Sequence, residues 1–576
     1  MLKGIGASEG YGIGKIMIVE EKSLEYTPHA VNDIDAEIKR YSDAVEAFIE
    51  ETKQQAEALR VSAGAKEAEI MEGHIGIIND PGLKMSIEGL ITGGTCVEAA
   101  TEQTLDMFIG IFAATDDEMT QQRAADLKDI KHALLSILLG VNEVKISEAP
   151  AGTVLVAKEV TPSMTAGINK DNIVGIITET GSQTSHSAIL ARAMEIPAVL
   201  SVPNALSQLS SGEQVIVDGT NGEVITAPGE AEITDYTARR DAFLREKREL
   251  EMFRGRRTLS ASGEEYELCC NIGSPKDAGK AMQADGEGVG LFRTEFLFMD
   301  RTALPTEDEQ FEVYKAAAVI LKGKPLIIRT LDIGGDKQVA YMNMPQESNP
   351  FLGYRAIRLC LDRREVFRVQ LRAILRASAY GKVAIMFPMI ATVEELRSAK
   401  AVLQEARDEL DQEGVSYDRD IRVGIMIETP AAVQISDHLA READFFSIGT
   451  NDLIQYTMAT DRMNDRVQYL YHTCNPAVLR SVRMICKNAA EAGIPVNMCG
   501  EAASDPLVIP LWVAMGLKEL SVVPAQVAQT KYVIDHLPAE TLRGRLDELL
   551  RLPTVEEFQT TLRDIQKEFG LILIDI

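Results

Sequence analysis

The chain has 576 residues, 45% hydrophobic and 25% charged, which is the balance of a globular protein of about two to four domains. Its net charge of −28 excludes nucleic acid as an expected partner, because phosphate contacts need a basic surface. No apolar run reaches the roughly 18 residues that span a bilayer, the first residues lack a signal-peptide core, and the seven cysteines show no CxxC or zinc-ligand spacing; a cytoplasmic chain with reduced thiols and no membrane insertion is expected.

Residues 2–20 alternate Gly with Ile, Met and Val and read as a short strand pair. From Asp33 the period changes: Ile34, Ile38, Tyr41, Val45 and Phe48 follow one another at helical spacing. That pattern runs to about Leu139, broken at Asn79-Asp80-Pro81-Gly82 and Gly93-Gly94, and predicts an all-helical insertion of about four main helices. Strand-like text then returns at Gly152–Ala157, Ile173–Ile177 and Ala198–Leu200, and two strands flank a glycine-rich turn between Val215 and Ile225. Between the second and third of these, Thr180-Gly181-Ser182-Gln183-Thr184-Ser185-His186 leads into an Ala/Ile/Leu/Met-rich helical run. His186 therefore sits at a helix mouth, where free backbone N–H groups and the positive dipole end suit an anion such as a phosphoryl group. Taken alone, such a histidine reads more simply as a cap or a buried polar residue; the rest of the chain reverses that order.

Residues 230–257 are densely charged and read as a linker helix. From about Glu264, eight short apolar runs alternate with helical stretches, beginning at Tyr266, Gly288, Leu326, Val383, Val423, Phe445, Pro495 and Leu520. This alternation predicts a (β/α)8 barrel, whose site lies at the C-terminal ends of its strands. Residues there form a set: Arg293-Thr294-Glu295, Arg329 with Asp332 to Lys337, Arg355 and Arg358, Glu428, Asn451-Asp452 with Asp461-Arg462, and Cys499-Gly500-Glu501. Arginines converging on one mouth suit a small substrate that carries phosphate and carboxylate. Glu428 and Asp452, on neighbouring strands, form a two-carboxylate site suited to Mg2+. Cys499 is either a core thiol or, at the mouth, a general acid.

With His186 upstream and this barrel downstream, the chain resembles the Enzyme I family of the bacterial phosphoenolpyruvate:sugar phosphotransferase system over essentially its full length. The residues that carry the resemblance are Thr184-Ser185-His186-Ser187 with Ile189, Ala191-Arg192 and Glu195-Ile196-Pro197-Ala198; Gly290 to Phe298; Asp332 to Lys337; Asp444 to Leu453; and Glu72-Gly73-His74. The resemblance implies an α/β multidomain chain. Residues 1–25 and 141–228 would form the phosphohistidine domain, 26–140 the helical domain, 229–260 a linker helix, and 261–576 the (β/α)8 domain that binds phosphoenolpyruvate and dimerises.

It further implies that Arg293, Arg329, Arg355, Arg462, Asn451, Asp452 and Lys337 hold phosphoenolpyruvate, with Mg2+ on Glu428 and Asp452. His186 would take the phosphoryl group, Cys499 would protonate the enolate, and Thr165 would support the histidine. The phosphocarrier HPr would dock near Glu72 and His74, and the chain would be a homodimer. Three positions depart from the family pattern: Ser182 and Gln183, where a second glycine and a basic residue are usual, and Met164, where an acidic or polar residue is usual. They leave open an alternative, a non-catalytic paralogue that binds a carrier protein. A related dikinase or synthase would need a nucleotide-binding domain for which no stretch remains. The other histidines, His29, His132, His438, His472 and His536, read as structural.

Overall fold

The computed structural model describes residues 1–19, 24–62, 65–113, 118–141, 146, 149–160, 164, 168–182, 185–299, 301–335, 339–464 and 466–571. Contacts divide the chain into two units, Met1–Lys247 and Arg248–Ile576. The boundary falls inside the helix Glu230–Glu251, within the charged stretch read as helical from the sequence.

The first unit opens with three strands rather than a strand pair: β1 (Leu2–Lys3), β2 (Ile5–Ser8) and β3 (Tyr11–Val19). Five helices follow among the described residues: α1 (Ile34–Ser62), α2 (Ala65–Ile78), α3 (Pro81–Thr92), α4 (Val97–Ala113) and α5 (Glu118–Leu139). The predicted breaks at Asp80-Pro81 and Gly93-Gly94 bound α3. There Asp80 caps the helix through Gly82 N and Leu83 N, and Pro81 loses only an N–H that no helix turn needs. The further divisions lack a Pro or Gly-Gly signal, so the described residues hold five helices where the sequence pattern predicts about four. Their apolar stripes meet in one core of Tyr41, Phe48, Ile87, Ile91, Leu105, Ile130 and Leu134.

The chain then adds β4 (Thr153–Ala157), β5 (Ile173–Thr178), the helix His186–Met194, β6 (Ala198–Leu200), β7 (Gln214–Asp218) and β8 (Glu223–Thr226). The sheet order is β1-β8-β7-β3-β4-β5-β6-β2. β3 pairs in parallel with β4, Lys15 opposite Thr153 and Val19 opposite Ala157. The five helices are thus inserted between two neighbouring strands. Both faces of this sheet are covered, one by a core that includes Ala188, Leu190 and Met194 of the His186 helix and the other by Ala205 and Leu209 with Val154, Ile177 and Val217.

In the second unit, β9 (Thr258–Leu259) leads into eight parallel strands: β10 (Glu265–Ile272), β11 (Gly288–Arg293), β12 (Pro325–Arg329), β13 (Lys382–Phe387), β14 (Arg422–Ile427), β15 (Phe446–Ile448), β16 (Val496–Met498) and β17 (Glu519–Val522). Each pairs with the next, and β17 and β11 both pair with β10, so the barrel closes. Strand side chains alternate in direction. Ile327, Ala384, Met386 and Met426 share a small interior core with Leu291, Phe445 and Cys499. Continuing the alternation by two residues puts Arg329 and Glu428 on the same face as Ile327 and Met426, at the strands' C-terminal ends. A far larger core lies between the strands' other face and the helices, where Trp512, Phe292, Phe367 and Phe558 are fully buried.

Candidate active site

At the barrel mouth, arginines and carboxylates alternate in a buried chain. Arg329, the last residue of β12, places Nη2 2.7 Å from Glu295 Oε1 and 3.0 Å from Asp332 Oδ2. The other Asp332 oxygen lies 2.9 Å from Arg355 Nη2. Arg355 in turn reaches both oxygens of Asp452 at 3.4 Å and Tyr456 Oη at 3.2 Å. Arg462 Nη1 stands 3.7 Å from Asp452 Oδ1 and is the more exposed member. Burial works against the charges of Arg329 and Arg355. The neighbouring carboxylates outweigh it: Glu295, Asp332 and Glu428 for Arg329, Asp332 and Asp452 for Arg355, and both guanidiniums are held above their ordinary range.

Glycines make the approach possible. Gly334, at φ +114, sits where a Cβ would stand 2.4 Å from Arg355 Cβ. Gly449 leaves room for Glu428, whose Oε2 a Cβ would meet at 2.8 Å. Only glycine offers that clearance.

Glu428 is 1% exposed and accepts a hydrogen bond from Met389 N at 2.6 Å. Burial, then the carboxylates of Asp452 and Asp332, push it up to about 8 against the pull of Arg329 and Arg355. Two acids that resist sharing negative charge, in a space kept clear by Gly449, are a donor set that a hard divalent cation satisfies. The residues fit the expected metal. Asn451, in the first turn after β15, donates Nδ2 to Glu501 Oε1 at 3.0 Å and accepts from Glu501 N at 3.1 Å, and Tyr471 Oη donates to its carbonyl at 3.2 Å.

Cys499 follows β16 and is buried among the interior core residues. Ser447 Oγ donates to its Sγ at 3.2 Å. Burial pushes the thiol up to about 11, with the Ser447 bond and the Arg329 charge pulling the other way. It is therefore a protonated thiol near neutral pH, within reach of the charges of Arg329 and Arg293. Arg293 ends β11 directly opposite Arg329 and is half-buried.

Sequence reasoning missed the supports beneath this layer. Gln370 donates to Thr294 Oγ1 at 3.1 Å and accepts from Leu331 N at 2.9 Å, while Thr294 Oγ1 donates to the Arg329 carbonyl at 2.8 Å. Asn271 donates to the carbonyls of Cys499 and Ser521 at 3.0 and 3.1 Å, tying β10 to the turn that carries the thiol. Gln370 lies in a helix that also carries five charged residues and Asn271 in a strand with two glutamates, so neither stands out in the sequence.

In the first unit, His186 opens its helix, as expected, with Ser185 as N-cap accepting from Ala188 N. Ser185 also donates to the Ser182 carbonyl at 2.8 Å, and Ser187 bridges to Val160 through its N–H and carbonyl. The His186 side chain, Thr165, Gln183 and Lys337 lie outside the described residues. Ser182 and Met164 are described and both make contacts of their own. Glu72 is exposed and paired with Arg60 at 2.5 Å. His74, expected beside it at a partner surface, is only 2% exposed; its Nε2 lies 3.5 Å from Asp126 and its Nδ1 3.9 Å from Asp129. The helical period explains the difference: two residues on from Glu72, position 74 falls on the buried side of α2 with Met71 and Ile78.

Three family profiles match the chain: "PEP-utilising enzyme, N-terminal" over residues 3–123, "PEP-utilising enzyme, mobile domain" over 149–222, and "PEP-utilising enzyme, PEP-binding domain" over 247–538. Curated relatives span the same length. A phosphoenolpyruvate-protein phosphotransferase of Priestia megaterium is 45% identical over 561 residues, covering 96% of this chain and 97% of its own. Proteins of the same name from Bacillus subtilis (strain 168) and Staphylococcus carnosus (strain TM300) are 43% and 42% identical, each over 96% of this chain and 98% and 97% of their own.

Proposed function

The chain belongs to the phosphoenolpyruvate-protein phosphotransferase family, the Enzyme I family, and from that premise we propose how its residues share the reaction. It is an enzyme that moves a phosphoryl group from phosphoenolpyruvate to protein, and its family uses a metal. His186 is the residue that takes the phosphoryl group, and the histidine of HPr is the next acceptor. The observation that carries this assignment is the chain Arg329–Asp332–Arg355–Asp452–Arg462 at the barrel mouth, around the buried carboxyl of Glu428.

Arg293, Arg329 and Arg462 hold the phosphate and carboxylate of the substrate, and Asn451 adds an amide donor set by Glu501. Lys337 completes this set. Arg355 has both its Nη atoms on protein oxygens; it acts through Asp332 and Asp452, which it fixes in place. Glu428 and Asp452 would hold Mg2+, which would supply charge neutralisation for the transferring phosphoryl group. Cys499 delivers its proton to the methylene carbon of the departing enolate, giving pyruvate. Thr165 steadies His186 through its hydroxyl. The helical unit receives the carrier on the exposed side of α2 that bears Glu72, with His74 beneath that surface. The barrel unit pairs two copies of the chain in a cytoplasmic homodimer.

The non-catalytic alternative rested on Ser182 and Gln183 and is not favoured beside relatives named for the activity over the full length. Pyruvate release from phosphoenolpyruvate, with Mg2+ and a histidine phosphocarrier, tests the assignment. Glu428→Gln should cut turnover by a factor of about 100 or more, with weaker Mg2+ dependence. Turnover and Mg2+ dependence equal to wild type would refute the placement of the metal.

A further inference from the structure

A second constellation of metal-ligating side chains lies in the helical part of the first unit. Among the described residues, a ring nitrogen of His29, the Sγ of Cys96 and a carboxylate oxygen of Glu98 all lie within 4.8 Å of one another. The backbone explains the meeting. Ala30 and Thr95 form an isolated antiparallel bridge, so the next residues outward, His29 and Cys96, face each other across it. Glu98 follows in the first turn of α4, which brings a carboxylate oxygen into the same group.

The chemistry of the three is complementary. His29 is exposed and gives access from solvent, whereas Cys96 and Glu98 are buried at 1% and 5% exposure. Glu98 Oε1 is held by Arg40 Nη2 at 2.5 Å, and Arg40 is itself braced by Glu37 at 2.8 Å. Glu37 in turn accepts from Val97 N at 2.9 Å. The other oxygen, Glu98 Oε2, is buried without a hydrogen-bond partner. A buried carboxylate oxygen left unsatisfied carries a cost that a cation removes.

We propose that His29, Cys96 and Glu98 form a binding site for a thiophilic divalent cation, Zn2+ by its ligand chemistry. One nitrogen, one thiolate and one carboxylate are Zn2+ donors, and three protein ligands leave a fourth, tetrahedral position for water on the His29 side. Neutral His29, Cys96 thiolate and Glu98 carboxylate balance the ion's two charges; the thiol proton goes to solvent as the metal enters. Arg40 and Glu37 are the outer groups that orient Glu98. The bound ion would staple the segment before α1 to the start of α4, a role separate from the barrel carboxylates.

Co2+ titration of the metal-stripped full-length chain tests the site, with Co2+ as the visible stand-in for Zn2+. The expected result is a thiolate-to-cobalt charge-transfer band that saturates at one equivalent and is bleached by Zn2+. The band should vanish in Cys96→Ser and persist in Asp452→Asn, which disturbs only the barrel carboxylates. His29 is exposed, so His29→Ala is the variant that keeps the fold; it should weaken Co2+ binding by about tenfold or more. A wild-type chain without the band, a band that survives Cys96→Ser, or unchanged affinity in His29→Ala would each overturn the proposal.

Discussion

Cys499 shows how environment decides what a side chain can do. Burial keeps its thiol protonated to about pH 11, so it is a poor nucleophile and a usable acid near neutrality. Cys499→Ala should therefore lower pyruvate release by about 10²- to 10⁴-fold, yet leave phosphoryl exchange between the enzyme and a phosphorylated carrier near the wild-type rate. Equal loss of both activities, measured side by side, would show that the thiol acts through the fold. The identity of this residue was legible in the sequence because it closes an apolar run next to glycine. Its partner Ser447 and the brace Asn271 were not, since one polar residue inside a strand has no periodic signature. Arg355 was legible as an arginine of the mouth, but not its occupation by Asp332 and Asp452. That depends on Gly334 letting two loops touch.

The barrel strands were the most legible elements. Parallel strands buried on both faces read as short apolar runs, and all eight runs recur as β10 to β17 within a few residues. The helical insertion was less so, because where α4 ends and α5 begins no Pro or Gly-Gly marks the change, and nothing in a stripe of apolar residues says where one helix stops. The same elements bring the chemistry together at Gly500, in the turn after β16. A Cβ there would stand 1.8 Å from Thr450 Oγ1 and 2.7 Å from Thr450 N, at the start of the helix that carries Asn451 and Asp452. Gly500→Ala should push the two turns apart, lower stability by about 1–3 kcal/mol and reduce phosphoenolpyruvate turnover. Thermal melting and a steady-state assay check this; wild-type melting and turnover would mean that the turns are not packed as described.

Stability of the barrel carries its own pH dependence, set at the strands' N-terminal ends. Burial and the adjacent Glu267 carboxylate push Glu519 up to about 7, from 4.5 when free. A raised carboxyl contributes stability that is full below its unfolded value and is lost as pH rises through its folded one. The chain should thus lose stability between about pH 5 and about pH 8 in part through Glu519. Glu519→Gln, which keeps an amide beside Asn497, should flatten that slope in denaturant titrations; an unchanged slope would exclude the group. The barrel could be read along the sequence, whereas contacts such as His29 with Cys96 join segments too far apart in the chain for any spacing rule. In the proposed reaction the phosphoryl group passes through His186, and labelling with 32P-phosphoenolpyruvate and Mg2+ reads this out. Acid-labile, base-stable label on the wild-type chain that is absent from His186→Ala is the predicted result. Label that persists in His186→Ala, or a wild type that takes up none, would contradict it.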